Sequence, residues 1–69
     1  MSDIKITLAA ARVNAGMTQA EVAAKLHVST KTVVNWENGR VTPSFTVIHT
    51  LSGIYNMPED YIFLPNEST

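Results

Sequence analysis

Two short helical segments in this chain are separated by only three residues, His27, Val28 and Ser29, and that joint limits the possible folds more than any other feature. A start signal precedes each segment. Thr18 stands three residues before Glu21, a capping box in which each side chain satisfies the other residue's free backbone N–H. Ser29 supplies the same hydroxyl chemistry to the next segment. The spacing predicts one helix from Gln19 to about Leu26, burying Val22, Ala23 and Leu26, and another from Thr30 to about Asn38, burying Val33 and Trp36. Gly39 is placed to end the second in the left-handed conformation. Ala23 at the crossing matters because a larger side chain would hold the helices apart. Such a pair fits a helix-turn-helix. On spacing alone, an ordinary αα-hairpin in a small bundle competes with it.

The rest of the chain also reads as helix. Ile4, Leu8, Ala11 and Ala15 form one stripe from about Asp3, capped by Ser2, to Ala15, with Gly16 as the stop. Thr42 followed by Pro43 predicts a further start, since proline at the first helical position loses no hydrogen bond. Phe45, Ile48, Leu51 and Ile54 then mark one face of a helix reaching about Tyr55, with Asn56 as its left-handed stop. Pro58 opens a last short helix, Glu59 to Leu64, ended by Pro65, and a tail from 65 to 69 is expected to fray. The expectation is therefore an all-α fold of five helices and no sheet, one domain over residues 1–69 with an ordered core from about 3 to 64.

A chain of 69 residues encloses one core at most and removes only about 60% of its unfolded surface from water. At 45% apolar and 16% charged, it suits a packed globule better than a disordered tail. Cysteine is absent, which excludes disulfides, thiolate metal sites and a thiol nucleophile. His27 and His49 alone are too few for a structural zinc site, and no metal or cofactor is expected. No apolar run nears the roughly 20 residues of a membrane span. The Met-Ser-Asp start lacks the pattern of a signal peptide, so a cytoplasmic location is expected. The net charge of −1 argues mildly against a nucleic-acid partner. Its distribution softens that argument. From Ile4 to Pro58 there are five bases (Lys5, Arg12, Lys25, Lys31, Arg40) against two acids (Glu21, Glu37), and the other acids but one, Glu59, Asp60 and Glu67, lie in the last eleven residues.

The stretch from Met17 to Gly39, with Gln19, Glu21, Ala23, Val33, Trp36, Glu37, Asn38 and Gly39 in place, resembles the Cro/CI-type (XRE) helix-turn-helix family of phage repressors and bacterial regulators. The similarity extends through Pro43 and into the segment Leu51–Phe63, covering about Leu8 to Leu64. His27 departs from the pattern, which usually has Gly or Asn in the turn. A left-handed conformation there strains a histidine, although His tolerates it better than most residues.

In a helix-turn-helix the second helix lies in the major groove. With Val33 and Trp36 inward, the 100° step per residue leaves Thr30, Lys31, Val34 and Asn35 outward. Lys31 can donate to guanine O6 and N7, Asn35 can pair with adenine N6 and N7, and Val34 can meet a thymine methyl. The resemblance implies base contacts at Thr30, Lys31 and Asn35 above all. It also implies a phosphate clamp at Gln19, beside Thr18, where free N–H groups at the helix start attract an anion. Asn38 and Arg40 are the expected phosphate contacts on the other flank. Arg12 and Glu37 are implied as an ion pair between the first and third helices, with a further Arg12 bond open to phosphate. As an acid/base catalytic pair they are unpromising, because Arg does not carry protons and no nucleophile accompanies it. His49, at the edge of the fourth helix, reads as a satisfied or solvated side chain.

The expected function is sequence-specific double-stranded DNA binding by a transcriptional repressor of phage or bacterial type, without enzymatic activity. A homodimer on a pseudo-palindromic operator follows, because one recognition helix reads only a few base pairs. Tyr55, Met57, Tyr61, Ile62, Phe63 and Leu64 exceed what one small core needs and are the expected dimer surface. The acidic net charge motivates a rival reading, a protein-binding module on the same fold, antitoxin-like or anti-repressor.

Overall fold

Each of four α-helices is opened and closed by the same two devices. In the computed structural model, which describes residues 6–63 without the side chain of Phe63, these are α1 (Leu8–Asn14), α2 (Gln19–Leu26), α3 (Thr30–Glu37) and α4 (Phe45–Tyr55). Thr7, Thr18, Ser29 and Ser44 stand before them in extended conformation, and each hydroxyl accepts the N–H three residues on. Each cap of this kind contributes about 1 kcal/mol. A left-handed residue follows each helix: Gly16, His27, Gly39 and Asn56. The N–H after it reaches back to a carbonyl five residues earlier, from Met17 to Arg12, Val28 to Ala23, Arg40 to Asn35 and Met57 to Ser52. That bond is the mark of a Schellman end, which satisfies carbonyls the helix leaves free.

The core gathers side chains from all four helices. Leu8 and Ala11 of α1, Val22 and Ala23 of α2, Val33 and Trp36 of α3, and Ile48, Leu51 and Tyr55 of α4 are buried together. Ala15, Leu26 and Ile54 are partly buried against them. Among the described residues no helix is long and apolar enough to cross a membrane.

Several expectations are corrected. The first helix begins at Leu8, because Thr7 caps it and the β-branched Ile6 and Thr7 take the extended conformation they favour. The Ser2 cap, the Asp3 start and Ile4 lie outside the described residues. Among the described residues no fifth α-helix follows α4. Glu59–Tyr61 is one 3-10 turn, and Ile62–Phe63 leaves it as a strand, β2, that pairs in parallel with Ile6–Thr7, β1. A two-stranded sheet thus joins the four helices, with Ile62 buried in the core; Leu64 and Pro65 lie outside the described residues.

Pro43 is buried just ahead of α4 and is not its first residue, because Ser44 takes the cap. Phe45 is 91% exposed where a core residue was expected. The cause is helical geometry: each step of three residues falls about 60° short of a full turn, so a run of i, i+3, i+6 and i+9 winds off any one face. The buried face follows Ile48, Leu51 and Tyr55 instead. The expected dimer surface also divides. Tyr55 and Ile62 belong to the core, Met57 packs against it, and Tyr61 is exposed. The side chains of Phe63 and Leu64 lie outside the described residues.

His27, exposed at φ 59°, carries strain that Gly would not. A left-handed L-residue costs about 1–2 kcal/mol, offset in part by the extra unfolded-state entropy of Gly. His27→Gly is expected to stabilise the fold by about 0.5–1 kcal/mol, read as a rise of a few degrees in Tm. A lowered Tm would mean that the imidazole makes contacts worth more than the strain.

Candidate nucleic-acid interface

The turn between α2 and α3 is set by backbone bonds. His27 N–H donates to the Ala24 carbonyl at 3.3 Å and Val28 N–H to the Ala23 carbonyl at 3.0 Å, which reverses the chain within one left-handed residue. Ser29 then starts α3, its hydroxyl accepting Thr32 N–H at 3.2 Å and meeting the Thr32 hydroxyl at 2.9 Å. With Ala23 buried at the crossing, the two helices pack closely.

Glu37, at the last turn of α3, fixes the helix against both of its neighbours. Arg12 of α1 donates from Nε to Oε2 at 2.7 Å and from Nη2 to Oε1 at 3.3 Å. Gln19 of α2 donates from Nε2 to the same Oε1 at 3.0 Å. Arg12 Nη1 donates in turn to the Met17 carbonyl at 2.9 Å, tying in the loop before α2. The pair is largely dry, with 15% of the Arg12 side chain and 8% of Glu37 exposed. A two-pronged contact of this kind fixes direction as well as distance. The bond to Glu37 raises the Arg12 guanidinium above its usual range, with burial opposing it. Both the Gln19 bond and the use of the Met17 carbonyl escaped sequence reasoning, since no local spacing links Gln19 to Glu37.

The outward face of α3 is free of acids. Thr30 and Lys31 are exposed, and Val34 and Asn35 are half-buried. The first turn holds Lys31 and no acid, although the helix dipole favours an acid there. On one flank Thr18 is exposed and committed to its capping box with Glu21, at 3.1 and 2.8 Å. Gln19 beside it is half-buried. On the other flank Asn38 and Arg40 are exposed, and Asn38 Oδ1 accepts Arg40 N–H at 3.1 Å, which shapes the loop that carries Arg40. His49 is exposed and meets Glu59 at 2.7 Å, linking α4 to the 3-10 turn well away along the chain from these groups. Among the described residues no three His, Asp or Glu side chains converge as a metal site.

A family model described as helix-turn-helix matches residues 8–62, most of the chain. The protein belongs to the XRE helix-turn-helix family. Searches of curated proteins and of solved structures return no match. Membership makes this chain a DNA-binding transcription-regulator domain, with double-stranded DNA as its partner. In the helix-turn-helix, α2 and α3 are the paired helices and α1 is the brace that reaches α3 and the loop before α2 through Arg12.

Removing one member of the brace leaves the other charge half-buried and unpaired. Glu37→Ala is expected to cost about 2–3 kcal/mol, whereas the double change Arg12→Met with Glu37→Leu should cost clearly less, because it leaves no orphaned charge. Denaturant unfolding of the three proteins checks the order. A second outcome concerns alkali. Burial pushes the Tyr55 phenol up to about 12, with the Glu37 charge adding to the rise and the Arg12 charge opposing it. An unfolded tyrosine ionises near pH 10, so between about pH 10 and 12 the unfolded chain binds fewer protons than the folded one. Stability contributed by the neutral phenol is full below pH 10. It falls as pH rises through that window, by up to about 1.4 kcal/mol per unit. Tyr55→Phe should flatten the fall in an alkaline unfolding series, and an unchanged slope would exclude Tyr55 as its source.

Proposed function

We propose that this protein recognises a specific DNA operator as a two-fold homodimer and represses transcription there, in the manner of a phage or bacterial regulator and without a cofactor. The observation that carries the reading is the outward face of α3, which presents Thr30, Lys31, Val34 and Asn35 while its one acid, Glu37, is turned inward and neutralised. Lys31 takes guanine O6 and N7, Asn35 takes adenine N6 and N7, and Thr30 offers its hydroxyl or methyl to the adjoining base edge. Val34 lies against a thymine methyl.

Gln19 and Thr18 approach a phosphate on one flank at the start of α2, and Asn38 and Arg40 approach one on the other. Gln19 donates one amide N–H to Glu37, which leaves a second for phosphate and makes it the link between brace and backbone. Arg12 commits three of its five N–H groups to Glu37 and Met17, so its phosphate contact draws on the remaining two. Two half-sites about 34 Å apart would place both recognition helices on one side of the duplex. The acid-free face of α3 favours DNA over the protein-binding alternative.

The test is selection of duplexes from a random pool, followed by titration at several salt concentrations. A steep negative dependence on salt is expected for DNA binding, and its absence would favour a protein partner. Lys31→Ala and Asn35→Ala should each lose about 1–3 kcal/mol on the selected site and relax preference at one position. Arg40→Ala should weaken selected and scrambled duplexes alike and reduce the salt slope by about 1. Equal losses on both duplexes for Lys31→Ala would reassign Lys31 to a phosphate.

A further inference from the structure

Asn38 and Gly39 form a pair whose chemistry the fold does not use. Gly39 has a structural reason to be glycine, since it closes α3 at φ 81°. Its consequence for Asn38 is a separate matter. Of the five asparagines, Asn14, Asn35, Asn38, Asn56 and Asn66, only Asn38 is followed by glycine. Without a Cβ, Gly39 leaves its backbone nitrogen open to approach by the side chain before it. Asn38 is exposed, so water reaches its amide. Its Oδ1 accepts Arg40 N–H at 3.1 Å, a bond that draws electrons from Cγ and steadies the charge an attack would place on that oxygen. Its Nδ2 has no bond partner among the described residues, so nothing holds the group that would leave.

We propose that Asn38 is a self-modifying site, which converts to a carboxylate as the protein ages and thereby weakens DNA binding. The Gly39 nitrogen gives up its proton to hydroxide and attacks Cγ of Asn38. An N–C bond forms, the Cγ–Nδ2 bond breaks, and the amide nitrogen leaves as ammonia with a proton from water. Water then opens the cyclic imide at either carbonyl, giving aspartate or isoaspartate. Nothing is oxidised or reduced; one water enters and one ammonia leaves. In the folded chain Asn38 sits at ψ 4°, and Gly39 N–H is held toward the Trp36 carbonyl at 3.4 Å. Ring closure needs that nitrogen turned to the side chain instead. The conversion therefore proceeds through opening of the last turn of α3, which costs far less than global unfolding. The product adds a negative charge to a chain of net charge −1, at a helix C-terminus where the dipole opposes it. An isoaspartate also lengthens the backbone where Arg40 N–H reaches the Asn35 carbonyl. The effect on binding rests on the proposed docking, in which Asn38 and Arg40 approach a phosphate; the conversion itself does not.

The test incubates the full chain at mildly alkaline pH and samples it over time, by peptide mass mapping and by titration on a duplex selected from a random pool. Conversion should concentrate at position 38, quicken with pH and with sub-denaturing urea, and slow when the selected duplex is present. Affinity of the converted fraction should fall about tenfold, the factor for one lost hydrogen bond to a charged group. Asn38→Asp should show that loss from the outset. Asn38→Gln, whose longer side chain cannot close the same ring, should keep its own starting affinity throughout. A decline in Asn38→Gln equal to the parent's would trace the ageing to another cause and overturn the proposal. Conversion spread evenly over the five asparagines, or none in the folded chain, would overturn the site. Full conversion with unchanged affinity would overturn its effect on binding, although sequence-specific docking would then stand. Failure to select any duplex would remove the docking alone, and a mass map confined to position 38 would still support the conversion.

Discussion

Glu37 receives hydrogen bonds from α1 and α2 while belonging to α3, so the orientation of α3 is fixed at one carboxylate. Apolar packing alone would leave α3 freer to roll, since Val33 and Trp36 bind it to the core without direction. The ion pair adds the direction. Its energetic worth is modest, because two charges must be stripped of water before they attract one another. Its geometric worth is larger: with Arg12 held at Nε, Nη1 and Nη2, neither partner has a second arrangement of equal quality.

Around that point the chain relies on local chemistry. A domain of this size has little core to spare, and each helix is too short to persist alone. Hydroxyl caps at one end and left-handed stops at the other satisfy the backbone groups that short helices expose in high proportion. His27 and Asn56 fill two of the stops where Gly would be less strained. At His27 the strain falls in the turn of the helix-turn-helix itself, where the positive φ sets the angle between α2 and α3.

Features written in neighbouring residues were legible in the sequence. The α2 bounds, the capping box, the Ser29 cap and the left-handed Gly39 and Asn56 all follow from side chains acting within one turn of themselves. Features that depend on distant partners were not. Ile6–Thr7 becomes strand only because Ile62–Phe63 lies beside it, and the β-branched Ile6 and Thr7 were a signal outweighed by the helical stripe further on. Phe45 leaves the buried face because a period of three drifts from the 3.6 residues of a helical turn. Arg12 and Glu37 were joined through family resemblance, while the Gln19 bond to Glu37 had no such guide. At the candidate site the face of α3 is an expectation from the sequence, and the structure adds how that helix is held.

The parallel sense of β1 and β2 has a mechanical consequence. Strands that run the same way, one leading into α1 and the other following the 3-10 turn, are drawn in opposite directions along their axes when the chain is pulled from its two ends. Tension therefore loads the pair in shear, so its hydrogen bonds bear the force together instead of unzipping one by one. Leu8, the residue at which α1 begins, adjoins Thr7 of that pair. A tug on either end would thus reach the brace at Arg12 only after this clasp had yielded.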